Sequence, residues 1–142
     1  MRETFLINIR GLQFYNEPDD DTDIVLTSEA GFEFQDGVFF VDYEETEITG
    51  YAGTKTVIEI GSDYVSLRRT GTLNTNMLFM KDRKTSSSYN TPYGELLIGI
   101  LTSKLEIDVD ENGGKVSVEY YVDINNQSTS KNIFDLEIRR KK

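Results

Sequence analysis

The chain has no cysteine, no histidine, no tryptophan and only two prolines. Without cysteine there are no disulfides, no thiolate metal site and no thiol nucleophile. That absence fits a reducing compartment. Without histidine the commonest general base is gone, and with it Ser-His and Cys-His activation and most zinc sites. Long apolar runs are missing too. The longest, residues 96–101, is far too short to span a bilayer. The start, Met-Arg-Glu-Thr-Phe, lacks the charged-then-apolar layout of a secretory signal. A cytoplasmic protein is the expectation.

Positive charge is scarce. Fifteen Lys and Arg stand against 25 Asp and Glu, a net charge of −10 over 142 residues. Phosphate backbones repel such a surface. The single basic run, Arg139-Arg140-Lys141-Lys142, reads as a solvated tail, so neither nucleic acid nor membrane is expected as a partner. What the chain does have is aromatic bulk, eight Phe and eight Tyr, in 37% apolar sequence. The length suits one domain, spanning residues 1–142, around one core.

Alternation with period 2 runs through nearly all of it. Phe5, Ile7 and Ile9 begin it. Ile24, Leu26, Ser28, Ala30, Phe32 and Phe34 carry a long second strand, where Gly31 predicts a bulge or sharp bend. Asp36-Gly37 is the strongest hairpin signal. Residues 38–46 return as a third strand. Residues 54–60 and 64–69 form another hairpin, followed by a strand carrying Met77 and Phe79. Residues 85–89 make a polar strand expected at an edge. The stretch at 94–102 is apolar at both parities, which predicts a central strand covered on both faces. Its apolar phase switches from even to odd near Ser103-Lys104, the mark of a β-bulge. Val116 to Ile124 and Phe134 to Ile138 complete about ten strands, with no helical stretch. The expected fold is an all-β, antiparallel up-and-down barrel, with a two-sheet sandwich as the alternative.

Three motifs invite chemistry. Asp108-x-Asp110-x-Asn112-Gly113, then Glu119 after five intervening residues, satisfies the EF-hand pattern. Its flanks alternate like strands, though, and an EF-hand needs helices. A hairpin turn is the better reading, and no metal is expected. The acidic loop of Asp19, Asp21 and Asp23 lacks the glycine of a calcium loop and reads as a solvated turn. Glu44, Glu45 and Glu47 could pair for acid-base work, but such clusters arise by chance among 25 acids.

More telling are polar groups in phase with apolar ones. Arg69 follows Val65 and Leu67. Thr102 follows Ile98 and Ile100. Tyr43 and Glu45 follow Val41. An inward arginine must be paired, because an unpaired buried charge is costly, and Glu45 is the candidate partner. Such a pair either fixes strand register alone or greets a ligand carboxylate or phosphate.

Several segments resemble a known family. Tyr43-Glu44-Glu45-Thr46, Arg69-Thr70-Gly71, Asn76-Met77-x-Phe79, Thr91-Pro92-Tyr93-Gly94 with Thr102 following, and Tyr120-Tyr121-Val122 before a last strand at 132–139 are similar in order to the YwiB-like family of small bacterial proteins. The resemblance implies a calycin-type, lipocalin-like barrel. It implies no activity and carries no catalytic residues. Two readings follow. One is a non-enzymatic binding module for a small apolar or anionic molecule, lined by Tyr43, Glu45, Arg69, Met77, Phe79, Tyr93, Thr102 and Tyr120, with Leu96 and Ile98 adding apolar wall. The other is a filled structural barrel acting through its surface. No cofactor is expected. An enzyme is the weakest reading, since nothing supplies an activated nucleophile.

Overall fold

A computed structural model describes residues 3–14, 22–45, 53–71, 75–91, 94–124 and 127–140. They form ten strands: β1 (Glu3–Phe14), β2 (Thr22–Gln35), β3 (Val38–Glu44), β4 (Thr54–Ile60), β5 (Tyr64–Gly71), β6 (Thr75–Met80), β7 (Lys84–Thr91), β8 (Gly94–Asp110), β9 (Gly113–Ile124) and β10 (Gln127–Arg140). All belong to one sheet, ordered β6-β5-β4-β3-β2-β1-β10-β9-β8-β7, and every ladder is antiparallel. The chain thus meanders up and down, and its first and last strands pair, Phe5 opposite Arg140 and Phe14 opposite Lys131. The wall curls into a nearly closed barrel whose gap falls between β6 and β7.

The core is the barrel interior, and the alternation puts it there. Cross-strand rows of inward residues stack around the wall. One row is Phe32, Val41, Ile58, Leu67 and Met77; the next is Phe39, Ile60, Val65 and Phe79. Phe5, Ile7, Val116, Val118, Leu136 and Ile138 close it from the other side, all at most 3% exposed. Phe5 meets Phe32 edge to face at 4.7 Å, and Phe32 stacks on Phe39 at 5.5 Å, geometries that aromatic quadrupoles favour.

Turn chemistry follows the sequence where the backbone demands it. Asp36 (φ 53°) and Gly37 (φ 83°) join Gln35 to Val38 in a two-residue hairpin, the primed turn that matches strand twist. On β8 the register shifts between Thr102 and Lys104. Ser103 is the extra residue, and its hydroxyl donates to the Glu119 carbonyl oxygen at 3.2 Å. The bulge is why Ile98, Ile100 and Thr102 face inward on even numbers while Leu105, Ile107 and Val109 do so on odd ones. A second shift, between Ser128 and Ser130 on β10, has no counterpart in the sequence reading.

Three expectations need correction. Gly31 pairs regularly with Thr4 and Asp42, with no register shift; the alternation around it is already complete, so the ladder needs no extra residue. β8 is not central. It lies next to last in the sheet, and only its inner face is covered: Leu97 and Leu101 are 51% and 43% exposed. A barrel wall has one interior, so an apolar run of both parities must leave half its side chains outside. Arg139 and Arg140 are solvated as expected, but as part of a strand rather than as a tail. They end β10 opposite Gly113 and Phe5, where the Arg140 guanidinium sits 5.3 Å from the Phe5 ring centroid and donates to Asn112 Oδ1 at 3.2 and 3.3 Å. Lys141 and Lys142 lie outside the described residues, as do the acidic residues at 17–21.

Candidate functional site

Alternation places Tyr43 on β3, Thr56 on β4 and Arg69 on β5 as direct cross-strand partners, Tyr43 opposite Thr56 and Thr56 opposite Arg69. Glu45 follows β3 by one residue. Its N–H donates to the Thr54 carbonyl at 2.8 Å, which turns its side chain inward. Thr56 Oγ1 donates to Glu45 Oε1 at 2.5 Å, and Arg69 Nε lies 3.5 Å from the same oxygen. Glu45 keeps 1% of its side-chain exposure and Arg69 15%. The expected Arg–Glu pair is therefore present, inside the wall, with its arginine still reachable. Glu44 is exposed and pairs with Lys55 across the ladder, so neighbouring glutamates 44 and 45 point to opposite faces and cannot act as a carboxylate pair. Glu47 lies outside the described residues.

Burial pushes the Tyr43 hydroxyl well above the usual tyrosine range. The Glu45 charge and a hydrogen bond to Glu45 push the same way, while Arg69 and Thr56 pull it down. A phenol held in its neutral form donates hydrogen bonds and is a poor base.

A second group forms on the opposite wall. Thr102 pairs with Tyr120, and Tyr120 with Asn132. The Tyr120 ring packs on Phe79 at 4.7 Å, which joins β6 to β9 across the interior. Thr102 is fully buried, and among the described residues its Oγ1 has no hydrogen-bond partner. Leaving a buried hydroxyl unmet costs about 1–3 kcal/mol. Met77 links the two groups, opposite Leu67 on β5 and two residues before Phe79. Of the eight residues singled out in the sequence, Tyr43, Glu45 and Arg69 come together on one wall and Thr102 and Tyr120 on the other, with Phe79 of β6 reaching across the interior to Tyr120. Tyr93 lies outside the described residues, as does the Leu96 side chain.

The sequence reading missed four buried polar residues: Thr54, Thr56, Ser130 and Asn132. Asn132 Nδ2 donates to Ser130 Oγ at 3.0 Å. The signal was available, because Thr54 and Thr56 are in phase with Ile58 and Ile60, and Ser130 and Asn132 with Phe134 and Leu136. All lie toward the end of the barrel where β1–β2, β3–β4, β5–β6, β7–β8 and β9–β10 connect. At that end the inward apolar residues Met77, Tyr120, Val122 and Ile124 are only partly buried. Inward apolar residues are partly buried at the other end too, Phe39, Leu105, Ile107 and Val109 among them, so among the described residues the two ends differ in that only this one carries the buried polar groups.

A cavity of about 300 Å³ lies elsewhere, on the outer wall, lined by Asn8, Arg10, Val25, Lys115, Ser117 and Asp135 among others. None of the eight expected residues borders it. The EF-hand match is a hairpin: Asp110 pairs with Gly113, Asn112 N–H donates to Asp110 Oδ1 at 2.8 Å, and Glu119 lies along β9 with Lys104 and Lys131 each 3.6 Å away.

Comparison with known proteins places this geometry. A domain of unknown function (DUF1934) matches residues 7–136. The uncharacterized beta-barrel protein YwiB of Bacillus subtilis (strain 168) is 26% identical over 106 residues, covering 73% of this chain and 72% of that protein. The crystal structure of the ywiB protein from Bacillus subtilis superposes with a TM-score of 0.74 at 16% identity, covering 96% of this chain and 92% of that one.

Proposed function

This chain belongs to the DUF1934 family, a barrel family of unknown function, and we propose that it is a non-enzymatic binding module that holds one small molecule with an apolar body and an anionic group. The observation that carries this reading is Arg69. It is a guanidinium inside a barrel, paired with Glu45, yet 15% exposed at the end where inward apolar side chains are only partly covered. An anionic group entering there meets Arg69, and its apolar part meets Met77, Tyr120 and Val122. The unmet Thr102 hydroxyl offers a further hydrogen bond. The absence of histidine and cysteine and the neutral Tyr43 phenol favour binding over catalysis. The net charge of −10 disfavours nucleic acid and anionic membranes as partners, and a cysteine-free chain suits the cytoplasm.

A second reading has its own observation. The Phe79–Tyr120 contact at 4.7 Å and the largely buried rows beside it support a filled barrel that acts through its outer surface. Native mass spectrometry of the protein purified from its own host, followed by denaturing release, separates the two. A stoichiometric small molecule, lost in Arg69→Met, is expected. A bare protein at native stoichiometry overturns the binding reading in favour of the filled barrel.

A further inference from the structure

The wall of the barrel stops at β7. This strand has a laddered neighbour on one side, β8, and β6 stands at the far end of the same sheet. Two contacts hold β6 and β7 together near their turn: Arg83 N–H to the Met80 carbonyl at 3.1 Å, and Thr85 Oγ1 to the Leu78 carbonyl at 2.6 Å. Among the described residues no ladder continues from there. β7 therefore presents a row of backbone donors and acceptors along its eight residues, Lys84–Thr91. Natural edges are protected by proline, bulges or repeated charge. β7 has no proline, its ladder to β8 has no register shift, and its only charge is Lys84, at its start.

The rims of this seam are apolar on the outside. Leu78 on β6 is 37% exposed; Leu97 and Leu101 on β8 and Tyr121 on β9 are 51%, 43% and 40%. Leu101 and Tyr121 are direct cross-strand partners. Between the two leucines β7 offers only the small Ser86, opposite Gly99, so the leucines can be reached from the edge. The turn that opens the seam is basic. Lys81, Arg83 and Lys84 are exposed beside the single Asp82, in a chain of net charge −10. Lys84 is held 2.8 Å from Asp123.

We propose that β7 is a strand-addition site that takes an extended segment of a partner protein, apolar at alternate positions and acidic at its C-terminal end, which an antiparallel strand brings to the turn at 81–83. Main-chain bonds to the β7 edge supply register, the apolar residues sit between Leu78 and the Leu97–Leu101 rim, and the acidic ones meet Lys81 and Arg83. Charge selects this occupant over a second copy of the chain. A second β7, KTSSSYNT, has no acid to offer those cations, and a whole second copy brings ten net negative charges toward this one.

The test uses the full chain and a fluorescein-labelled, capped decapeptide of alternating valine and serine that ends in two glutamates. Anisotropy gives the affinity and amide hydrogen exchange gives the place. Saturable binding is expected, weakened by salt, with new protection confined to residues 84–91. Leu101→Ser and Lys81→Glu/Arg83→Glu are exposed changes that leave the melting temperature alone. Each is expected to weaken binding about tenfold. Equal binding of a peptide N-methylated at alternate amides overturns the proposal, as does protection elsewhere or no binding at millimolar peptide. A dimer by sedimentation that Leu101→Ser dissolves overturns it in favour of self-association.

Discussion

Arg69 and Glu45 form a pair in which each residue's burial depends on the other. Glu45 has 1% side-chain exposure, and its carboxylate meets Arg69 Nε at 3.5 Å, Thr56 Oγ1 at 2.5 Å and the Tyr43 hydroxyl. Arg69→Ala leaves that carboxylate buried without its counter-charge, and breaking such a pair costs about 3–5 kcal/mol. Urea denaturation of the variant checks this, and a change near zero would place Arg69 in water. Tyr43 gives a pH test with a definite sign. Its folded pKa is raised above the value of about 10 for an unfolded tyrosine. The stability that this contributes is complete below pH 10 and is lost as pH rises through the folded value. Unfolding free energy should therefore fall more steeply above pH 10 in the parent than in Tyr43→Phe, and parallel curves would remove Tyr43 from the buried set. This pair was legible from phase alone, since 65, 67 and 69 share a face, as do 41, 43 and 45. The unmet Thr102 hydroxyl was not. Inward direction can be read along one strand, but hydrogen-bond satisfaction depends on what other strands bring opposite.

The β8–β9 hairpin shows what an element adds to its residues. Its turn is tight enough that backbones approach closely: a Cβ on Gly114 (φ 146°) would fall 2.0 Å from the Asp108 carbonyl oxygen. Gly114→Ala should cost at least about 1–3 kcal/mol in backbone strain, with the clash adding to it. Gly11→Ala, with nothing within 4 Å of its Cβ position, should be neutral by the same thermal melt; equal losses would refute the local argument. The same hairpin settles how the Asp108–Glu119 pattern behaves in calcium. With Asp108 and Lys115 as ladder partners and Glu119 between two lysines, the parent should melt at one temperature in calcium and in EDTA, and Asp108→Ala/Asn112→Ala should respond identically. A calcium-dependent rise in the parent alone would reinstate a metal site. The bulge at Ser103 was legible because a phase switch has few other causes. The exposure of Leu97 and Leu101 was not, because an apolar run of both parities reads the same in a covered sheet and in a barrel wall.

At the scale of the whole molecule, the ladder has one break and one long-range closure. Every neighbouring pair except β1–β10 is joined by a short connection, and the break falls in the turn at 81–83 between β6 and β7. Strand number and antiparallel order were legible from even spacing and turn signals. The position of the break was not, since β6 and β7 are only three residues apart, as in an ordinary hairpin. The closure sets folding speed, because Phe5 must find Arg140 across almost the whole chain, and contacts of such sequence separation are slow to form. Circular permutation exploits both features. Joining the termini by a short linker makes β10–β1 a hairpin. Opening the chain between Asp82 and Arg83 then severs no ladder, so every pairing in the sheet becomes local. This permutant should fold faster than the parent in stopped-flow refolding and unfold at a similar rate. Opening it instead at Glu111–Asn112 turns the β8–β9 pairing, twelve partners from Ile98–Ile124 to Asp110–Gly113, into the long-range step, and refolding should gain nothing or slow. If the two permutants refold alike, closure is not rate-limiting, and the seam between β6 and β7 forms together with the rest of the wall.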